Sequence, residues 1–438
     1  GIRDLVRSRG LGDVYKRQIS GHNMMTPNKD LISVEEAQKI IFSKFNSLEI
    51  VKKKLIDSSG YILSKDIKAL FDLPSKNNSA MDGFAIRHQD LEINKTLKVV
   101  GRVGAESITD HILQKDEAIR IMTGSGIPEG ADTVIQFEKT NNNPHKGDDY
   151  PDSVTIIESV NKGGNIRMSG MDYKSGQTVV KSGMLITPPI IGAIASFGID
   201  EVPVIKKPTV SLISTGNEII MPGQKLKEGQ IYDSNSFAIS SAIRNSGASF
   251  KMHKILSDNK ADVEKLYQDC NQSDLIVTIG GVSKGDFDLI RDAITEKGNI
   301  NFWGINMKPG KPLAFGQVNL NGKEIFHIGL PGNSVSSYVC FELFIRPVLM
   351  KMQGLKNIFR KTLVAKVDKE IKNNDGRRAY LRVMVSKDHD KGYTASIYDK
   401  QDSNIFSSLV YSNGLAICPE ECKVIKSGDQ LEVIMLED

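Results

Sequence analysis

Residues 207–354 alternate between strand-like and helix-like patterns, and this alternation restricts the fold more than any other feature of the chain. β-Branched runs such as VSLISTG and DLIVTIGG are each followed by a helical pattern, as in SNSFAISSAIRNSG and DLIRDAITEKG. This repeated order predicts βαβ crossovers and a mainly parallel sheet. Ligands of such sheets bind at the carboxyl ends of the strands, so polar residues at those ends are candidate site residues.

A glycine turn follows the predicted strand at residues 275–279. Gly280 and Gly281 end the apolar run, and a short polar turn with Ser283 leads into the next helical pattern. Glycines allow backbone N–H groups to approach a phosphate or an oxyanion closely. Asp286 and Asp288 then lie at the predicted helix start, where they could cap the helix, bind a divalent cation, or both. Two capping acids after a tight turn are the simpler alternative.

Polar residues after other predicted strands complete two groups of opposite charge. The acids are Glu218, Asp258, Asp286 and Asp288, and the bases are Lys308 and Lys311 in the segment MKPGK. Carboxylates without a cysteine or histidine among them suit a hard cation such as Mg²⁺. Two lysines around a Pro-Gly turn suit a phosphate or another tetrahedral anion, although solvated loop charges are the alternative.

The turn Pro331-Gly332-Asn333 precedes a long apolar helical pattern. Free N–H groups at the start of that helix would provide a second position for an anion, while a simple helix cap is the alternative. Taken together, the residues predict a magnesium-assisted reaction on a phosphorylated or nucleotide-bearing substrate.

Shorter patterns on both sides of the alternating region predict further domains. We predict an α/β multidomain protein whose central, mainly parallel α/β domain carries a small inserted β domain and a C-terminal β domain. Ser33 and Glu36 form a capping-box pattern at the start of a predicted helix, and residues 73–86, LPSKNNSAMDGFAI, are predicted to form an exposed loop. The predicted boundaries are 25–75 with 163–205 for an N-terminal helical and linker domain, 76–162 for the inserted β domain, 206–354 for the α/β domain and 355–438 for the C-terminal domain.

Composition argues against several classes of function. The net charge is +4, but the first eighteen residues hold five Arg or Lys against two Asp, so the rest of the chain is nearly neutral and a nucleic-acid partner is not expected. No apolar run reaches the ~20 residues of a membrane span. The four cysteines, Cys270, Cys340, Cys418 and Cys422, fit neither a disulfide framework nor a zinc site. We therefore expect a cytoplasmic protein with structural or surface thiols.

The segment 1–24 differs from the rest of the chain. It has no long apolar region, no sustained periodicity and no cleavage-site pattern. We expect an added leader, with the natural start near Met24 or Met25, and a targeting arm is the alternative.

Eight segments, in the family's order, resemble the molybdopterin molybdenumtransferase family. They are SAMDGFA, IRIMTGSGIPEGADTVI, GNIRMSGMD, ISTGNEI, GQIYDSNS, IGGVSKGDFD, MKPGKPLAFG and IGLPGNSVSS. The resemblance implies insertion of molybdate into adenylylated molybdopterin with release of AMP and dependence on Mg²⁺. It also implies homodimers of four-domain chains, with a cleft built from both subunits and with a molybdopterin adenylyltransferase and apo-molybdoenzymes as possible partners.

The resemblance carries functional residues onto this chain position by position. The catalytic group would comprise Asp82, Thr123, Asp172, Glu218, Asp258 and Asp288, of which Glu218, Asp258 and Asp288 would bind Mg²⁺. The substrate-binding group would comprise Gly280, Gly281, Ser283, Lys308, Lys311, Pro331, Gly332, Asn333, Arg377 and Ser403. The bases and hydroxyls would hold molybdate or the pterin phosphate, while the acids would hold the metal and orient water at the AMP phosphoanhydride.

Four positions depart from the family pattern. Met171 replaces an acid, Asn217 replaces an aspartate, Ser334 replaces a proline, and Asp402 replaces a glycine beside Ser403. A carboxylate at position 402 should repel an anion bound there unless it points away.

Two other functions compete with the one that the resemblance implies. A molybdopterin adenylyltransferase would share the central domain, but it would carry a GGTG-type turn where this chain has GGVS, and it would lack the flanking domains. A non-catalytic scaffold of the same family is the second alternative, and the complete set of acids and lysines argues against it.

Overall fold

A computed structural model describes residues 31–104, 109–141, 151–253, 260–280, 298–388 and 392–437. The chain divides into two compact units. Unit 1 comprises Gly1–Val51, Gly60–Ile62 and Val204–Asp438, and unit 2 comprises Lys52–Ser59 and Leu63–Pro203.

The first helix of the described part of unit 1 is Val34–Phe42, as its capping pattern predicts. The Glu36 N–H donates to the Ser33 Oγ at 3.1 Å, which satisfies one of the N–H groups left free at a helix start. Val34, Ala37 and Ile41 form the buried face of this helix and belong to the main core of unit 1.

A six-stranded sheet forms the centre of unit 1. Its strands, in spatial order, are Ser249–Met252, Thr209–Ser214, Leu275–Ile279, Lys323–Leu330, Pro312–Leu320 and Gly298–Gly304. The first four run parallel, in agreement with the predicted mainly parallel sheet. Pro312–Leu320 is antiparallel to both of its neighbours, so Gly298–Gly304 at the edge runs in the same direction as the first four. All five residues of Leu275–Ile279 are buried, which explains the continuous apolar run of that strand.

The antiparallel edge arises from a hairpin that the alternating pattern did not predict. Asn321 and Gly322 join Pro312–Leu320 to Lys323–Leu330 and have positive φ values of 53° and 84°. Asn-Gly favours a tight two-residue hairpin turn because both residues tolerate positive φ. The chain therefore turns back directly at this point, without a crossover helix.

Helices pack against this sheet and surround its apolar core. Among the described residues, the α-helices beside this sheet are Ser234–Asn245, Lys260–Asp269, Ser334–Cys340 and Arg346–Met352, with a π-helical turn at Phe341–Ile345 between the last two. Asp233 begins the first of them, since its side chain accepts from the Ser236 N–H at 2.9 Å. Leu212, Val277, Ile328 and Phe344 are fully buried in the resulting core.

The C-terminal part of unit 1 is a β domain, as its short-strand pattern predicts, and the structure shows that its main sheet is closed. The strands, in spatial order, are Met307–Lys308, Arg378–Asp388, Gly392–Ile397, Thr362–Val367, Gln430–Met435 and Gly414–Cys418. Arg378–Asp388 also pairs with Gly414–Cys418, which closes five of the strands into a barrel around a separate apolar core. A small pair, Ile371–Lys372 with Val424–Ile425, and the short helix Ser407–Val410 complete this region.

Unit 2 contains a five-stranded sheet in the order Thr133–Gln136, Gly83–Ile86, Glu117–Ile121, Thr96–Val103 and Ser153–Thr155. The prediction of an exposed loop at residues 73–86 is therefore wrong for its last four residues, Gly83–Ile86, which form a strand. Phe84, Ala85 and Ile86 are fully buried between two neighbouring strands, because the short FAI run completes the sheet.

Shorter elements make up the remainder of the described chain. Unit 2 contains the helix Pro188–Ala195 and the 3₁₀ turns Leu55–Asp57, His88–Asp90 and Phe137–Lys139. It also contains two strand pairs, Asn78–Ser79 with Ile166–Arg167 and Ile67–Lys68 with Thr178–Val180. Ile50–Lys54, Glu201–Ile205 and Ile62–Leu63 form a three-stranded sheet, and Ile219–Ile220 pairs with Ile231–Tyr232.

Over the described ranges, no helix is both long and apolar enough to cross a membrane. The four cysteines are free and buried, so these thiols pack inside the protein and none is at its surface. Burial raises the pKa of the Cys418 thiol to about 12, which keeps it protonated and unreactive at neutral pH.

Candidate functional site

The carboxyl ends of three parallel strands meet at one edge of the central sheet. Ser214 pairs with Ile279, and Ile279 pairs with Leu330. The Gly280 N–H donates to the Leu330 carbonyl at 3.0 Å, and Gly280 has a φ of 85°. A Cβ at this residue would lie 3.0 Å from the Thr215 carbonyl oxygen, so the backbones approach more closely here than most side chains allow.

The Pro-Gly-Asn turn lies at the same edge and contacts the predicted Ser403. Asn333 precedes the helix Ser334–Cys340, but its side chain makes no capping bond to it. Instead the Asn333 Nδ2 donates to the Ser403 Oγ at 3.0 Å, and the Val335 N–H donates to the Ser403 carbonyl at 3.1 Å. The turn is fixed from the other side by the Asn235 Nδ2, which donates to the Gly332 carbonyl at 2.6 Å. Asn333 therefore joins the central and C-terminal sheets and is more than a helix cap.

The turn with the two lysines also lies at this edge. Gly304 pairs with Pro312 and Ala314 pairs with Gly329, so residues 305–311 project from the edge that holds Gly280 and Asn333. Lys308 and Lys311 are both exposed to solvent. The sequence prediction that these bases and the strand ends share one edge is consistent with this register.

Lys308 and Arg377 are brought together by strand pairing. Met307 and Lys308 pair in parallel with Arg378 and Ala379, directly after Arg377. Between the two cations lies Asp375, whose Oδ2 is 3.4 Å from the Lys308 Nζ and 2.6 Å from the Arg377 Nη2. Partial burial would raise the pKa of Asp375, but hydrogen bonds from the Arg377 side chain and backbone, with the charges of Arg377 and Lys308, hold it below its usual range.

The segment that carries Ser403 is attached to the barrel by Gln401. The Arg382 N–H donates to the Gln401 Oε1 at 3.0 Å, and the Gln401 Nε2 donates to the carbonyls of Arg382 at 3.0 Å and Tyr398 at 2.7 Å. Arg382 is itself 1% exposed, and its Nε donates to the Ser408 Oγ at 3.2 Å. Burial lowers the pKa of Arg382 to about 10, partly offset by the negative charge of Asp402.

Glu218 follows the strand Thr209–Ser214 and is exposed near the same edge. A Cβ on Gly216 would lie 2.8 Å from a Glu218 carboxylate oxygen, so the glycine leaves room for that carboxylate to fold back. The other predicted residues of the glycine turn and acid group, Gly281, Ser283, Asp286, Asp288 and Asp258, lie outside the described residues. Within the described ranges, no group of three or more His, Cys, Asp or Glu side chains forms a candidate metal site.

Asp82, Thr123 and Asp172 belong to unit 2. The Asp82 Oδ1 accepts from the Thr123 N–H at 2.6 Å and from the Thr123 hydroxyl at 2.7 Å, so the structure brings these two predicted residues together. The Asp82 carbonyl accepts from the Phe137 N–H at 3.2 Å, which attaches this loop to the sheet. Asp172 is exposed, and its N–H donates to the Leu73 carbonyl at 3.0 Å.

Sequence analysis missed three residues that shape this edge: Asp375, Arg382 and Gln401. Asp375 lies two residues before Arg377, but neither its contact with Lys308 nor the contact of Gln401 with Arg382 has a local signal. The first contact depends on pairing between strands far apart in the sequence, and the second on how the chain returns to Arg382 after the hairpin of Arg378–Asp388 with Gly392–Ile397. Lys308, Tyr380, Arg382 and Gln401 also line a cavity of about 260 Å³ in this region.

The four departures from the family pattern fall at different places. Met171 is 73% exposed in unit 2. Asn217 and Asp402 are exposed in unit 1, and Ser334 is the first residue of its helix. The negative charge of Asp402 favours the charged form of the buried Arg382, so this carboxylate acts at least partly on the protein's own cation.

Three family models match the chain in succession. They are the MoeA N-terminal region (domain I and II) at residues 32–198, the probable molybdopterin binding domain at residues 211–351, and the MoeA C-terminal region (domain IV) at residues 364–436.

Known proteins are similar over nearly the whole chain. Molybdopterin molybdenumtransferase 2 of Mycobacterium tuberculosis (strain ATCC 25618 / H37Rv) is 34% identical over 413 residues, which cover 92% of this chain and 98% of the relative. Molybdopterin molybdenumtransferase of Haemophilus influenzae is 33% identical, covering 86% of this chain and 92% of the relative. The crystal structure of a molybdopterin biosynthesis moea protein from Pyrococcus horikosii superposes with a TM-score of 0.76 at 29% identity, covering 93% of this chain and 100% of that chain.

Proposed function

Because this chain belongs to the molybdopterin molybdenumtransferase family, its role is molybdenum insertion in molybdenum cofactor biosynthesis, and we propose that it transfers molybdate to adenylylated molybdopterin with release of AMP. The observation that carries this proposal is the edge at which Lys308 and Arg377 lie within reach of one carboxylate. Two cations that already hold a carboxylate can hold a tetrahedral oxyanion by the same charge-assisted hydrogen bonds.

The substrate-binding residues divide the edge into two parts. We assign molybdate to Lys308, Lys311 and Arg377, three cations that the lysine turn and the start of the strand Arg378–Asp388 bring to this edge. The Ser403 hydroxyl, which accepts from Asn333 and keeps its own hydrogen to donate, would provide an uncharged contact for the pterin phosphate beside the glycine turn at Gly280. Fixing both reactants on one rigid edge removes much of the entropic cost of bringing them together.

Mg²⁺ is the cofactor that we propose for the reaction. The candidate ligands Glu218, Asp258 and Asp288 offer only carboxylate oxygens, which are the donors that a hard cation prefers, and Glu218 is exposed at the correct edge. When bound, the ion would neutralise negative charge on the phosphoanhydride of the adenylylated pterin. The sulfur ligands of molybdenum come from the pterin, so the buried cysteines of this chain are not needed for them.

The acids of unit 2 form a second proposed group. Two hydrogen bonds from Thr123 fix Asp82 in one orientation, as is needed for a carboxylate that positions a water molecule. We propose that Asp82 and Asp172 orient water for cleavage of the phosphoanhydride.

We further propose that the protein is a homodimer whose clefts combine domains of both subunits. It would work in the cytoplasm, with a molybdopterin adenylyltransferase and apo-molybdoenzymes as partners.

The experiment that tests this function is AMP release from adenylylated molybdopterin. We expect AMP to appear only when both Mg²⁺ and molybdate are present, and we expect chelation of the metal to stop the reaction. Lys311→Ala should raise the molybdate concentration at half-maximal rate by about tenfold, because one of the cations is lost. Parallel titrations with tungstate would establish which oxyanion is preferred.

The outcome separates the proposed enzyme from its alternatives. A scaffold would bind the adenylylated pterin without releasing AMP. An adenylyltransferase would form the adenylylated pterin from ATP and molybdopterin, and it would not be expected to carry the N- and C-terminal regions that match this chain. An unchanged molybdate response in Lys311→Ala would move that lysine to the pterin or to a structural role.

A further inference from the structure

Asp375 occupies the position between Lys308 and Arg377 that an oxyanion would take in the proposed site. Its Oδ2 lies 2.6 Å from the Arg377 Nη2 and 3.4 Å from the Lys308 Nζ. Its Oδ1 accepts from the Arg377 backbone N–H at 3.2 Å. The carboxylate thus has an ammonium, a guanidinium and a backbone N–H around it, which are the donors that bind phosphate-like anions in proteins.

The turn that carries Asp375 is fixed from both ends. Asn373 is 4% exposed, and its Nδ2 donates to the Arg377 carbonyl at 2.8 Å. The Asn306 Nδ2 donates to the Gly376 carbonyl at 3.4 Å, and the Arg378 N–H donates to the Asn306 carbonyl at 3.1 Å. The Asp375 side chain is accordingly only 33% exposed, compared with 90% for Asp399 in its pair with Lys369. Asp375 is held in this position by the fold, unlike an exposed surface carboxylate.

The carboxylate remains charged under working conditions. Its pKa lies below the usual range, so protonation near neutral pH does not remove it from the two cations. An entering anion must therefore displace a charged group that is already bound.

We propose that Asp375 is a specificity-determining residue, an internal carboxylate that an oxyanion must displace before it can contact Lys308 and Arg377 together. The proposal rests on the function assigned above to these two cations. A singly charged anion gains little from the exchange, because it only replaces a carboxylate of the same charge. A doubly charged tetrahedral oxyanion brings one more negative charge and more acceptor oxygens, so the exchange favours molybdate-like ions over chloride or carboxylic acids.

The test compares Asp375→Asn with the unaltered full-length protein in direct binding of molybdate, measured by calorimetry. We expect Asp375→Asn to bind molybdate about tenfold more tightly, since a like charge at hydrogen-bond distance from the cations is removed. We also expect acetate to compete with molybdate more effectively in this variant, because the exclusion of singly charged anions is lost. Asp375→Ser is a second variant that removes the charge, and a thermal unfolding scan shows that each variant is folded.

Asp200→Asn is the matched control. It removes one negative charge from an ion pair with Lys54, 83% exposed, and neither residue lines the cavity that contains Lys308, so its molybdate affinity should stay within about twofold of the unaltered protein. An affinity that is unchanged or weaker in both Asp375 variants would overturn the proposal, as would the same gain in Asp200→Asn or no measurable binding by any of the proteins.

AMP release is measured on the same samples to separate this inference from the proposed function. Tighter molybdate binding by the Asp375 variants without AMP release by the unaltered protein would support the inference and count against the function. AMP release with equal molybdate affinities would do the reverse.

Discussion

Gly310 lies in the turn between Lys308 and Lys311, and its backbone packs so closely against the core that residue 310 has no room for a side chain. Its φ is 103°, and a Cβ there would lie 2.6 Å from the Cys340 Sγ and 3.0 Å from the Met307 Cε. Cys340 and Met307 are fully buried, so neither atom can move away without opening the core. The turn from Lys308 to Lys311 therefore depends on the absence of a side chain at one residue.

Gly310→Ala should lower the free energy of unfolding by about 2–4 kcal/mol, from backbone strain and overpacking together. Gly428→Ala is the control, because Gly428 also has a positive φ, 92°, but a methyl group added there would have no atom within 4 Å. The control should lose only about 1 kcal/mol. Urea denaturation followed by circular dichroism measures both, and equal losses would show that the contact with Cys340 is not what excludes a side chain.

The roles of residues near the edge were predictable from the sequence where they depend only on neighbouring residues. The segment MKPGK predicts two bases around a turn, and the Pro-Gly-Asn turn predicts a helix start at Ser334. Asp375 was not predicted to contact Lys308, because the two residues are far apart in the sequence and only the pairing of Met307–Lys308 with Arg378–Ala379 brings them together.

At the scale of elements, Gln401 acts as a bridge between a strand and the segment that carries Ser403. Its amide exchanges two hydrogen bonds with the backbone of Arg382, much as a neighbouring strand residue would. Ser403 in turn accepts from Asn333 at the central sheet. The position of Ser403 thus depends on a side-chain amide outside any strand.

Gln401→Ala should increase deuterium uptake in residues 398–408, because the Arg382 N–H loses its acceptor and the segment loses its two amide bonds to the carbonyls of Arg382 and Tyr398, although the Arg382 carbonyl keeps the Tyr398 N–H. The expected loss of stability is about 1–3 kcal/mol. Gln401→Glu keeps an acceptor for the Arg382 N–H but cannot donate to the two carbonyls, so its uptake should be intermediate. Unchanged hydrogen exchange in Gln401→Ala would mean that the segment is held by its other contacts.

Elements were predictable to the extent that neighbouring residues determine them. Ser33 and Asp233 begin their helices by capping bonds to residues three positions ahead. The sequence predicts a loop at Gly83–Ile86, because Pro, Asn and Ser dominate the preceding residues. The four-residue strand at this position is recognisable only from the two strands that pair with it. The hairpin at Asn321-Gly322 had a local signal, the Asn-Gly pair, which the alternating pattern obscured.

At the scale of the whole molecule, each unit has an apolar core of its own. Phe84, Leu97 and Ile135 are fully buried in the core of unit 2, whereas Leu212 and Val277 are fully buried in unit 1. The only tryptophan of the sequence, Trp303, lies in the strand Gly298–Gly304 of unit 1. Any change in tryptophan fluorescence on unfolding therefore originates in unit 1.

Phe84→Ala should destabilise unit 2 by about 3–5 kcal/mol through the cavity that it leaves. If the cores unfold independently, circular dichroism will show an early transition while the tryptophan transition stays in place. Leu212→Ala, in the core of unit 1, should shift the tryptophan transition instead. Movement of the tryptophan transition in Phe84→Ala would show that the two units unfold as one cooperative system.

The family and fold class were predictable from the sequence because eight motifs occur in order, each too local to depend on packing. The roles of Asp258 and Asp288 stay predictions, since these residues lie outside the described part of the chain. The domain boundaries also stay predictions.

One continuous stretch of backbone belongs to both sheets of unit 1. Gly298–Gly304 and Pro312–Leu320 are strands of the central sheet, while Met307–Lys308, between them, is hydrogen-bonded to the barrel strand Arg378–Asp388. A swing of the barrel about this point would have to break the pairing or drag the lysine turn with it. Lys308 and Arg377 should therefore keep their separation when the barrel moves relative to the central sheet. The geometry of the binding site would then not change with that motion.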